Sequence, residues 1–315
     1  MKIVIIGAGA MGSLYGAKLS TAEAPVYLLD VWPEQVRAIN EGGITVEDAA
    51  SGAAEAYPKI RAFSDAAEAG EADLAIVFVK STLTARAVRE NRAVFGEHTT
   101  VLTLQNGLGN VEGIAETLPR GRIIAGTTAQ GATLLGPGRV RHGGKGKTVI
   151  GELDGSVTER IKAVADLFNR AGLETEISAN VEGLIWDKLL VNVGINALTA
   201  ITGVPNGELL LHEELAELLA AAVAEGEQVA GAKGVKLNIP DPVSHTREVC
   251  AATGKNRSSM LQDILAGRPT EIDRINGAIL REGAAVGIAA PVNAVLHKLV
   301  TFLEKNGAGK PRRGM

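Results

Sequence analysis

The sequence predicts two domains of different fold class: an α/β domain with a doubly wound, mostly parallel sheet over residues 1–178, and an all-α domain over residues 179–315. Three observations predict this division. The chain has 315 residues, enough for two domains of ordinary size. Its first half alternates short apolar runs with helix-like runs, whereas its second half consists almost entirely of helix-like runs. The change in character falls near residues 173–182.

The first domain is predicted from five apolar runs that have the length of buried strands. In chain order they are "KIVIIGAG", "PVYLLD", "LAIVFVK", "TVLTLQNG" and "RIIAGTT". Helix-like segments such as "AMGSLYGAKLS" lie between them, and this alternation is typical of a parallel sheet covered on both faces. The glycine- and proline-containing run "GITVEDAASGAAEAYPKIRAFSD" predicts either a β-hairpin or an excursion from the sheet, and "RVRHGGKGKTVIGELDG" predicts an antiparallel pair at the sheet edge.

The second half is predicted to be helical, and proline and glycine separate its helices. "VTERIKAVADLFNRAG" is an amphipathic helix that still precedes the boundary. The predicted helices after it are "VEGLIWDKLLVNVGINALTAIT", "HEELAELLAAAVAEGEQVAGAKG", "SSMLQDILAG", "TEIDRINGAILREGAAVG" and "VNAVLHKLVTFLEKNG". The separators are "GVPNGEL", "NIPDP" and "GRP".

Composition favours a soluble globular protein of the cytoplasm. The net charge of −4 and pI near 5.8 do not support nucleic-acid binding. No uncharged run reaches the ~20 residues that a membrane span needs, and the first residues show no cleavage-site pattern. Cys250 is the only cysteine, so it cannot form an intrachain disulfide, and we expect it to fill apolar space. The basic end "GKPRRGM" is expected to be a frayed tail.

A glycine-rich loop follows the first predicted strand. Gly7, Gly9 and Gly12 form G-x-G-x-x-G between that strand and a helix, the context in which the motif indicates a Rossmann dinucleotide site. The glycines permit a tight turn and bring backbone amides close to the pyrophosphate at the helix N-terminus. The predicted cofactor-binding loop comprises Gly7, Ala8, Gly9, Ala10, Met11 and Gly12.

Asp30 ends the second predicted strand, at the distance expected for the residue that contacts the cofactor ribose. A carboxylate there accepts hydrogen bonds from both ribose hydroxyls and repels a 2′-phosphate. The next arginine, Arg37, comes seven residues later, too far for a simple phosphate clamp. The sequence therefore predicts NAD(P)H binding with NADH favoured over NADPH.

Two polar residues follow later strands on the predicted ligand-binding edge. Lys80 follows "LAIVFV" and Asn106 lies in the "QNG" that follows "TVLTL". Each could be an ordinary turn residue. Ligands of open α/β sheets bind at the carboxyl ends of the strands, so both are also candidates to contact the nicotinamide or the substrate.

The run "IWDKLLVNVGIN" places Lys188, Asn192 and Asn196 four residues apart. In a helix these side chains advance only about 40° per step and form one polar stripe. The stripe has one cation, two neutral amides and no carboxylate at matching spacing. The spacing alone is compatible with a solvated helix face or with a ligand-binding wall.

A further polar set lies near the C-terminus. Asn256, Ser258 and Ser259 lie at a predicted helix N-terminus, where capping alone would explain one serine. Glu271 is predicted in the first turn of the next helix, where a carboxylate is favourable in any case. Asn206 lies in the turn "VPNGEL". The five histidines show no metal-ligand spacing, and no metal is predicted.

Taken together, the segments of this chain resemble the ketopantoate reductase (2-dehydropantoate 2-reductase) family. The segments that carry the resemblance are "GAGAMGSLYGAKL", "VFVK", "LQNGLGN", "GTTAQGA", "GRVRHGGKGKTVIGE", "WDKLLVNVGINALTA", "PNGEL" and "SSMLQDILAGRPTEIDRINGAIL". The resemblance implies a Rossmann domain, a helical domain of the 6-phosphogluconate dehydrogenase C-terminal type, and an active site in the cleft between them.

The resemblance also implies residue roles. Lys188 matches the proton donor, and Glu271 matches the carboxylate near nicotinamide and substrate. Lys80, Asn106 and Ala132 match cofactor-contacting positions, and Asn106 also matches a substrate contact. The implied substrate-binding residues are Asn192, Asn196, Asn206, Asn256 and Ser259, with Arg257 and Ser258 in the same segment.

The implied reaction is hydride transfer from NAD(P)H to C2 of 2-dehydropantoate, giving (R)-pantoate, with Lys188 protonating the carbonyl oxygen. We expect burial to lower the pKa of Lys188 toward neutrality. This chain has Val31 where NADPH-using members of the family carry an arginine. The alternatives are an NAD-dependent (R)-2-hydroxyacid dehydrogenase acting on other branched 2-keto acids, and a non-catalytic dinucleotide sensor. A homodimer is plausible, but no stretch of the sequence identifies an interface.

Overall fold

A computed structural model describes residues 1–22 and 24–306. The tail "GKPRRGM" lies outside the described residues. The chain forms two compact units: the first contains residues 1–105 and 110–181, and the second contains residues 106–109 and 182 onward. Asn106–Gly109 lies within the predicted first domain (residues 1–178) but belongs to the second unit, so the predicted division is wrong for this segment.

Twelve strands are described, and all of them lie in the first unit. They are β1 (Ile3–Ile6), β2 (Val26–Leu29), β3 (Ile44–Asp48), β4 (Ala54–Tyr57), β5 (Arg61–Phe63), β6 (Leu74–Val77), β7 (Thr100–Thr103), β8 (Ile123–Thr128), β9 (Gly131–Gly136), β10 (Arg139–Gly144), β11 (Thr148–Glu152) and β12 (Thr175–Ile177).

Eight of these strands form the main sheet, in the order β12-β11-β8-β7-β6-β1-β2-β5. The six strands from β5 to β8 run parallel, which confirms the predicted doubly wound sheet. From β1 the parallel strands continue through β2 to β5 on one side of the sheet, and the chain then returns to β6 on the other side of β1 and continues to β7 and β8. In such sheets the crevice for a ligand lies where the strand order reverses, at the carboxyl ends of the strands. The glycine-rich loop follows β1 at that point.

The other four strands form a small sheet, in the order β4-β3-β10-β9. The predicted hairpin is confirmed, because β3 and β4 pair antiparallel with Ile44 opposite Tyr57. The predicted antiparallel pair in "RVRHGGKGKTVIGELDG" is wrong. Strand β10 pairs with β9 and β3 in the small sheet, whereas β11 pairs with β8 and β12 in the main sheet.

The burial patterns of β10 and β11 explain why they belong to different sheets. Strand β10 alternates exposed with buried residues at first, burying Val140 and His142, as expected for a sheet with one covered face. Strand β11 has four buried residues of five, as expected inside a sheet covered on both sides. Alternation identifies a strand, but it does not identify the strand's partner.

Five of the six longest described helices lie in the second unit. The described α-helices are α1 (Ala10–Leu19), α2 (Pro33–Gly42), α3 (Ala66–Ala69), α4 (Thr84–Glu90), α5 (Asn110–Ala115), α6 (Glu159–Arg170), α7 (Val181–Thr202), α8 (Glu213–Ala232), α9 (Pro242–Ala252), α10 (Ser259–Leu265), α11 (Asn276–Val286) and α12 (Pro291–Asn306).

Helix α7 contributes much of the core of the second unit. Trp186, Leu190 and Val193 are buried in an apolar cluster to which α8, α11 and α12 also contribute. By length and composition α7 could cross a membrane, but 67% of its most apolar window is buried inside the fold. That degree of burial is typical of a core helix in a folded domain.

Two helix starts differ from the sequence analysis. Helix α9 lies in the stretch after "NIPDP", where the sequence predicts no helix because Pro242 is interpreted as a break. Proline is favourable at a first helical position, and the Asp241 side chain accepts from Ser244 N at 2.9 Å as the N-cap. The predicted helix at Thr270 instead begins at Asn276, after a 3₁₀ turn over Ile272–Arg274.

Candidate active site

The glycine-rich loop closes so tightly that two of its three glycines cannot be replaced without movement. Gly7 has φ of +102°, and a Cβ there would lie 2.9 Å from the backbone of Phe78 and Val79. A Cβ on Gly12 would lie 1.9 Å from the carbonyl oxygen of Gly7. A Cβ on Gly9 would meet nothing within 4 Å. Gly7 and Gly12 therefore allow the turn itself, whereas Gly9 leaves open space before the first amides of α1, as a pyrophosphate site requires.

Asp30 and Gln35 hold this loop from both sides of Ala8. The Asp30 carboxylate accepts from Ala8 N at 2.6 Å and from Trp32 N at 2.9 Å. The fully buried Gln35 side chain donates to Ala8 O at 2.8 Å and accepts from Gly138 N at 2.8 Å. The residue after Asp30, Val31, is 88% exposed. Gln35 is not predictable from the sequence, since nothing in "PEQVRAIN" marks it as a loop support.

The residues beyond β6 form a second supported loop. Lys80 lies three residues after the end of β6, is half-buried, and precedes a 3₁₀ turn over Ser81–Leu83. Gln105 donates to Val79 O at 2.6 Å and to the Thr84 hydroxyl at 2.9 Å, which ties the backbone before Lys80 and the first residue of α4 to the loop after β7. Ala132, the other predicted cofactor contact in this unit, is half-buried in β9 of the small sheet.

The polar stripe of α7 is not a solvated helix face. Asn196 is 5% exposed, and Lys188 and Asn192 are half-buried. Within the described part of the chain, the Asn192 side-chain nitrogen is buried without a hydrogen-bond partner. An unpaired buried donor costs free energy, so this arrangement favours a ligand that supplies an acceptor.

Burial lowers the pKa of Lys188 to about 8, and the nearby Glu271 carboxylate partly opposes this by raising it. The expected direction of the shift is confirmed. The stripe itself contains no carboxylate, but Glu271 reaches Lys188 electrostatically from a separate element. Asp187, next to Lys188 in sequence, is turned to other partners and accepts from the Asn238 side chain at 2.9 Å. Lys188 can thus act as a proton donor near neutral pH.

Glu271 occupies a bend rather than the predicted first helical turn. It is 9% exposed and precedes the 3₁₀ turn that separates α10 from α11. The adjacent Arg274 carbonyl accepts from Leu108 N at 2.9 Å, within the short segment Asn106–Gly109. Asn106 and Glu271 therefore belong to neighbouring pieces of backbone in the second unit.

Asn206 is held by the loop that follows α9. Its backbone N donates to Asn256 O at 2.9 Å, and its side-chain nitrogen donates to Thr253 Oγ1 at 2.9 Å. Its carbonyl accepts from the Cys250 thiol at 2.8 Å. Burial raises the pKa of Cys250 to about 11, so the thiol stays protonated and structural.

The three polar residues at the start of α10 have different environments. Ser258 is buried and caps the helix, because its hydroxyl accepts from Leu261 N at 3.1 Å and from Thr199 Oγ1 at 2.7 Å. Asn256 and Ser259 are exposed, as is Arg257. Capping thus explains the position of Ser258. Thr199, which no sequence motif marks, positions the Ser258 hydroxyl from α7.

Among residues 1–22 and 24–306, no group of three or more His, Cys, Asp or Glu side chains is placed to hold a metal ion.

A sheet whose order reverses beside a glycine-rich loop, joined to a helical unit with a half-buried lysine of lowered pKa, is typical of dinucleotide-dependent oxidoreductases. The chain belongs to the ketopantoate reductase PanE/ApbA family. The family's N-terminal model matches residues 3–155, and its C-terminal model matches residues 180–304. The resemblance proposed from the sequence is confirmed, and members of this family are NAD(P)H-dependent reductases.

Two archaeal relatives match almost the whole chain. The 2-dehydropantoate 2-reductase of Halobacterium salinarum is 39% identical over 308 residues, which are 98% of this chain and 100% of that protein. The 2-dehydropantoate 2-reductase of Pyrococcus horikoshii is 38% identical over 310 residues, with 98% and 99% covered.

Solved structures give the same fold with two different names. A ketopantoate reductase from Ralstonia eutropha has a TM-score of 0.88 and 36% identity, with 97% of this chain and 99% of that chain covered. D-mandelate dehydrogenase with NADH and anilino(oxo)acetate has a TM-score of 0.89 and 32% identity, again covering 97% and 99%.

Proposed function

We propose that this protein is a 2-dehydropantoate 2-reductase that forms (R)-pantoate and prefers NADH. The observation that carries the choice of substrate is the Asn206 side-chain oxygen. It is buried without a partner among the described residues. An acceptor in this state fits a ligand that offers a hydroxyl proton, and ketopantoate carries a distal hydroxyl.

Lys188 is the proposed proton donor. When bound, the reduced nicotinamide supplies the hydride that attacks the C2 carbonyl carbon. Negative charge then develops on the carbonyl oxygen, and the Lys188 ammonium stabilises that charge and transfers its proton there. A lysine with a pKa of about 8 is largely protonated at neutral pH and is still a competent acid. Glu271 helps to keep Lys188 charged.

Neutral amides are proposed to bind the substrate on the same stripe. The Asn192 side-chain nitrogen is a buried donor that matches the substrate carboxylate. Asn196 lies one turn further along α7 and is placed to orient the substrate without adding charge. Asn256 and Ser259, together with Ser258 as the support of the segment, remain proposed contacts from the family pattern.

The proposed site for the pyrophosphate and the ribose of the cofactor lies on the first unit. The amides at the start of α1 would hold the pyrophosphate, and Asp30 would accept from the ribose hydroxyls. Each carboxylate oxygen has two lone pairs, so the bonds from Ala8 N and Trp32 N leave acceptor capacity. Lys80, Asn106 and Ala132 are proposed to contact the cofactor. The preference for NADH is supported by Asp30. It is also supported by Val31, which stands where NADPH-using members of the family carry an arginine.

The second candidate is an NAD-dependent (R)-2-hydroxyacid dehydrogenase acting on other branched 2-keto acids. It is supported by the NADH-bound D-mandelate dehydrogenase, which shares the fold. Such a substrate has no distal hydroxyl, so it would leave the Asn206 oxygen unpaired.

A steady-state assay that crosses NADH and NADPH with ketopantoate and 2-ketoisovalerate tests the proposal. We expect kcat/KM for ketopantoate with NADH to exceed that for 2-ketoisovalerate by about 10²-fold or more, as in sites built to bind a hydroxyl. Equal or reversed values would favour the second candidate, and NADH binding without oxidation by any 2-keto acid would indicate a sensor. Cytoplasmic location and a homodimer remain predictions, the latter open to sedimentation analysis.

A further inference from the structure

Hydrogen bonds within the protein fix the backbone of Asn206 against the loop after α9. Besides the bond from Asn206 N to Asn256 O, Gly207 N donates to Gly254 O at 3.0 Å. The two segments are so close that a Cβ on Gly207 would lie 2.8 Å from Gly254 Cα. With the Cys250 thiol bound to the Asn206 carbonyl, the amide group is the part of Asn206 that can still turn.

The Thr253 hydroxyl determines which way that amide faces. It donates its only proton to the carbonyl of Val249, one turn earlier in α9, at 2.7 Å. Toward Asn206 it can therefore act only as an acceptor, and it binds the amide nitrogen at 2.9 Å. If the amide were flipped, its oxygen would face an oxygen that has no proton to give. The Asn206 oxygen is thereby turned away from Thr253 and stays unpartnered among the described residues.

We infer that Thr253 is a specificity-determining residue, because its hydroxyl holds Asn206 with an acceptor rather than a donor available to the substrate. The inference rests on the proposed function of the same site. An acceptor selects a 2-keto acid that carries a hydroxyl, whereas a flipped amide would offer a donor to the substrate's carboxylate or ketone. Thr253 acts through Asn206 and is a positioning residue.

Thr253→Val tests this inference because it removes the hydroxyl and keeps the shape of the side chain. We expect kcat/KM for ketopantoate to fall about 10- to 100-fold, while that for 2-ketoisovalerate stays within about twofold. The KM for NADH should not change. Thr253→Ser keeps the hydroxyl and should restore the preference for ketopantoate.

Two controls separate this effect from a loss of structure. Thr301 makes the same hydroxyl bond to the carbonyl of His297, one turn earlier in α12, at 2.8 Å, so Thr301→Val is matched in chemistry. It should leave the substrate ratio unchanged. In an Asn206→Ala background, Thr253→Val should have no further effect on the ratio, since the amide that it orients is gone. The thermal midpoint of each variant shows whether it folds.

The substrate preferences of the wild type and of Thr253→Val distinguish a failure of the inference about Thr253 from a failure of the proposed function. A wild-type enzyme that prefers ketopantoate, with a preference unchanged in Thr253→Val, overturns the role of Thr253 and leaves the proposed function standing. Equal losses for both substrates also overturn it, because a merely structural residue would have that effect. A wild-type enzyme without preference for ketopantoate overturns the proposed function and this inference together.

Discussion

The ionisation of Lys188 predicts how the reaction depends on pH. Its pKa of about 8 in the folded protein means that the proton donor is present below that pH and is lost as the pH rises through it. We expect kcat/KM for ketopantoate reduction to fall along an alkaline limb near pH 8, measured from about pH 6 to about pH 10. Oxidation of pantoate needs the neutral amine and should show the opposite slope. A flat profile for reduction would contradict this assignment.

Variants of Lys188 and Glu271 test the same limb. Lys188→Ala should lower kcat about 10²- to 10⁴-fold, the usual contribution of a general acid, with the Kd for NADH unchanged. Glu271→Gln removes the charge that raises the pKa of Lys188, so the limb should move to lower pH. Near-normal turnover in Lys188→Ala would contradict the role of Lys188 as proton donor. An alkaline limb that moves to higher pH in Glu271→Gln would contradict the role of Glu271 in raising the pKa of Lys188.

Asp30 and the position after it predict cofactor choice. Asp30→Asn keeps an acceptor oxygen for the neighbouring amides but removes the charge that repels a 2′-phosphate. Val31 is 88% exposed, so Val31→Arg should fold normally and add a phosphate partner. We expect the double variant to gain kcat/KM with NADPH and lose it with NADH. Val31→Arg alone is the control, and a wild-type preference for NADPH would refute the assignment.

At the residue scale, the sequence pattern identifies polar side chains that lie on the same helix. It does not identify the residues of other elements that contact them. The four-residue spacing identifies Lys188, Asn192 and Asn196 as one stripe, and their burial agrees with a binding wall. The electrostatic reach of Glu271 and the bond of Thr253 to Asn206 depend on the packing of distant segments. No spacing rule along the chain encodes such pairs.

At the scale of elements, the glycine-rich loop predicts a contrast between two substitutions. Gly12→Ala places a Cβ 1.9 Å from the Gly7 carbonyl oxygen and should destabilise the fold by about 2 kcal/mol or more. Gly9→Ala meets nothing within 4 Å and should leave the thermal midpoint almost unchanged. It should nevertheless weaken NADH binding, because the methyl group enters space needed by the pyrophosphate.

The contrast is measured by thermal denaturation together with NADH titration by fluorescence. Gly42→Ala, in α2, also meets nothing within 4 Å and is the matched control that should change neither quantity. If Gly9→Ala binds NADH as tightly as the wild type, the pyrophosphate does not approach the loop at Gly9.

Elements were predictable where a single strong period or motif dominates. The sequence predicts helix α7 over its full length because its long apolar run contains no proline. Helix α9 was missed because Pro242 also begins helices, and the 3₁₀ turn before α11 was missed because a helical period cannot distinguish the two. The partners of β10 and β11 were wrong because pairing depends on which faces other elements cover.

At the scale of the molecule, part of one unit comes from an unexpected place in the chain. The sequence placed Asn106 only at a strand end, whereas Asn106–Gly109 packs with the second unit through the carbonyl of Arg274. Gly107 makes this approach possible, since its φ is +79° and a Cβ would lie 2.4 Å from that carbonyl oxygen. A glycine that favours a turn thus indicates that another segment packs closely against the backbone there. It does not indicate which segment that is.

NADH and the keto acid substrate are predicted to protect different segments of the protein from hydrogen exchange. NADH at about 100 times its Kd should stabilise the folded protein by about 2.7 kcal/mol and slow exchange at the amides of residues 7–13. A keto acid added without cofactor should instead slow exchange around Asn206 and in the loop over residues 253–259. Lys188→Ala should retain the protection by NADH, because Lys188 acts on the substrate. Protection by NADH that is absent from residues 7–13 would show that the dinucleotide does not bind the glycine-rich loop.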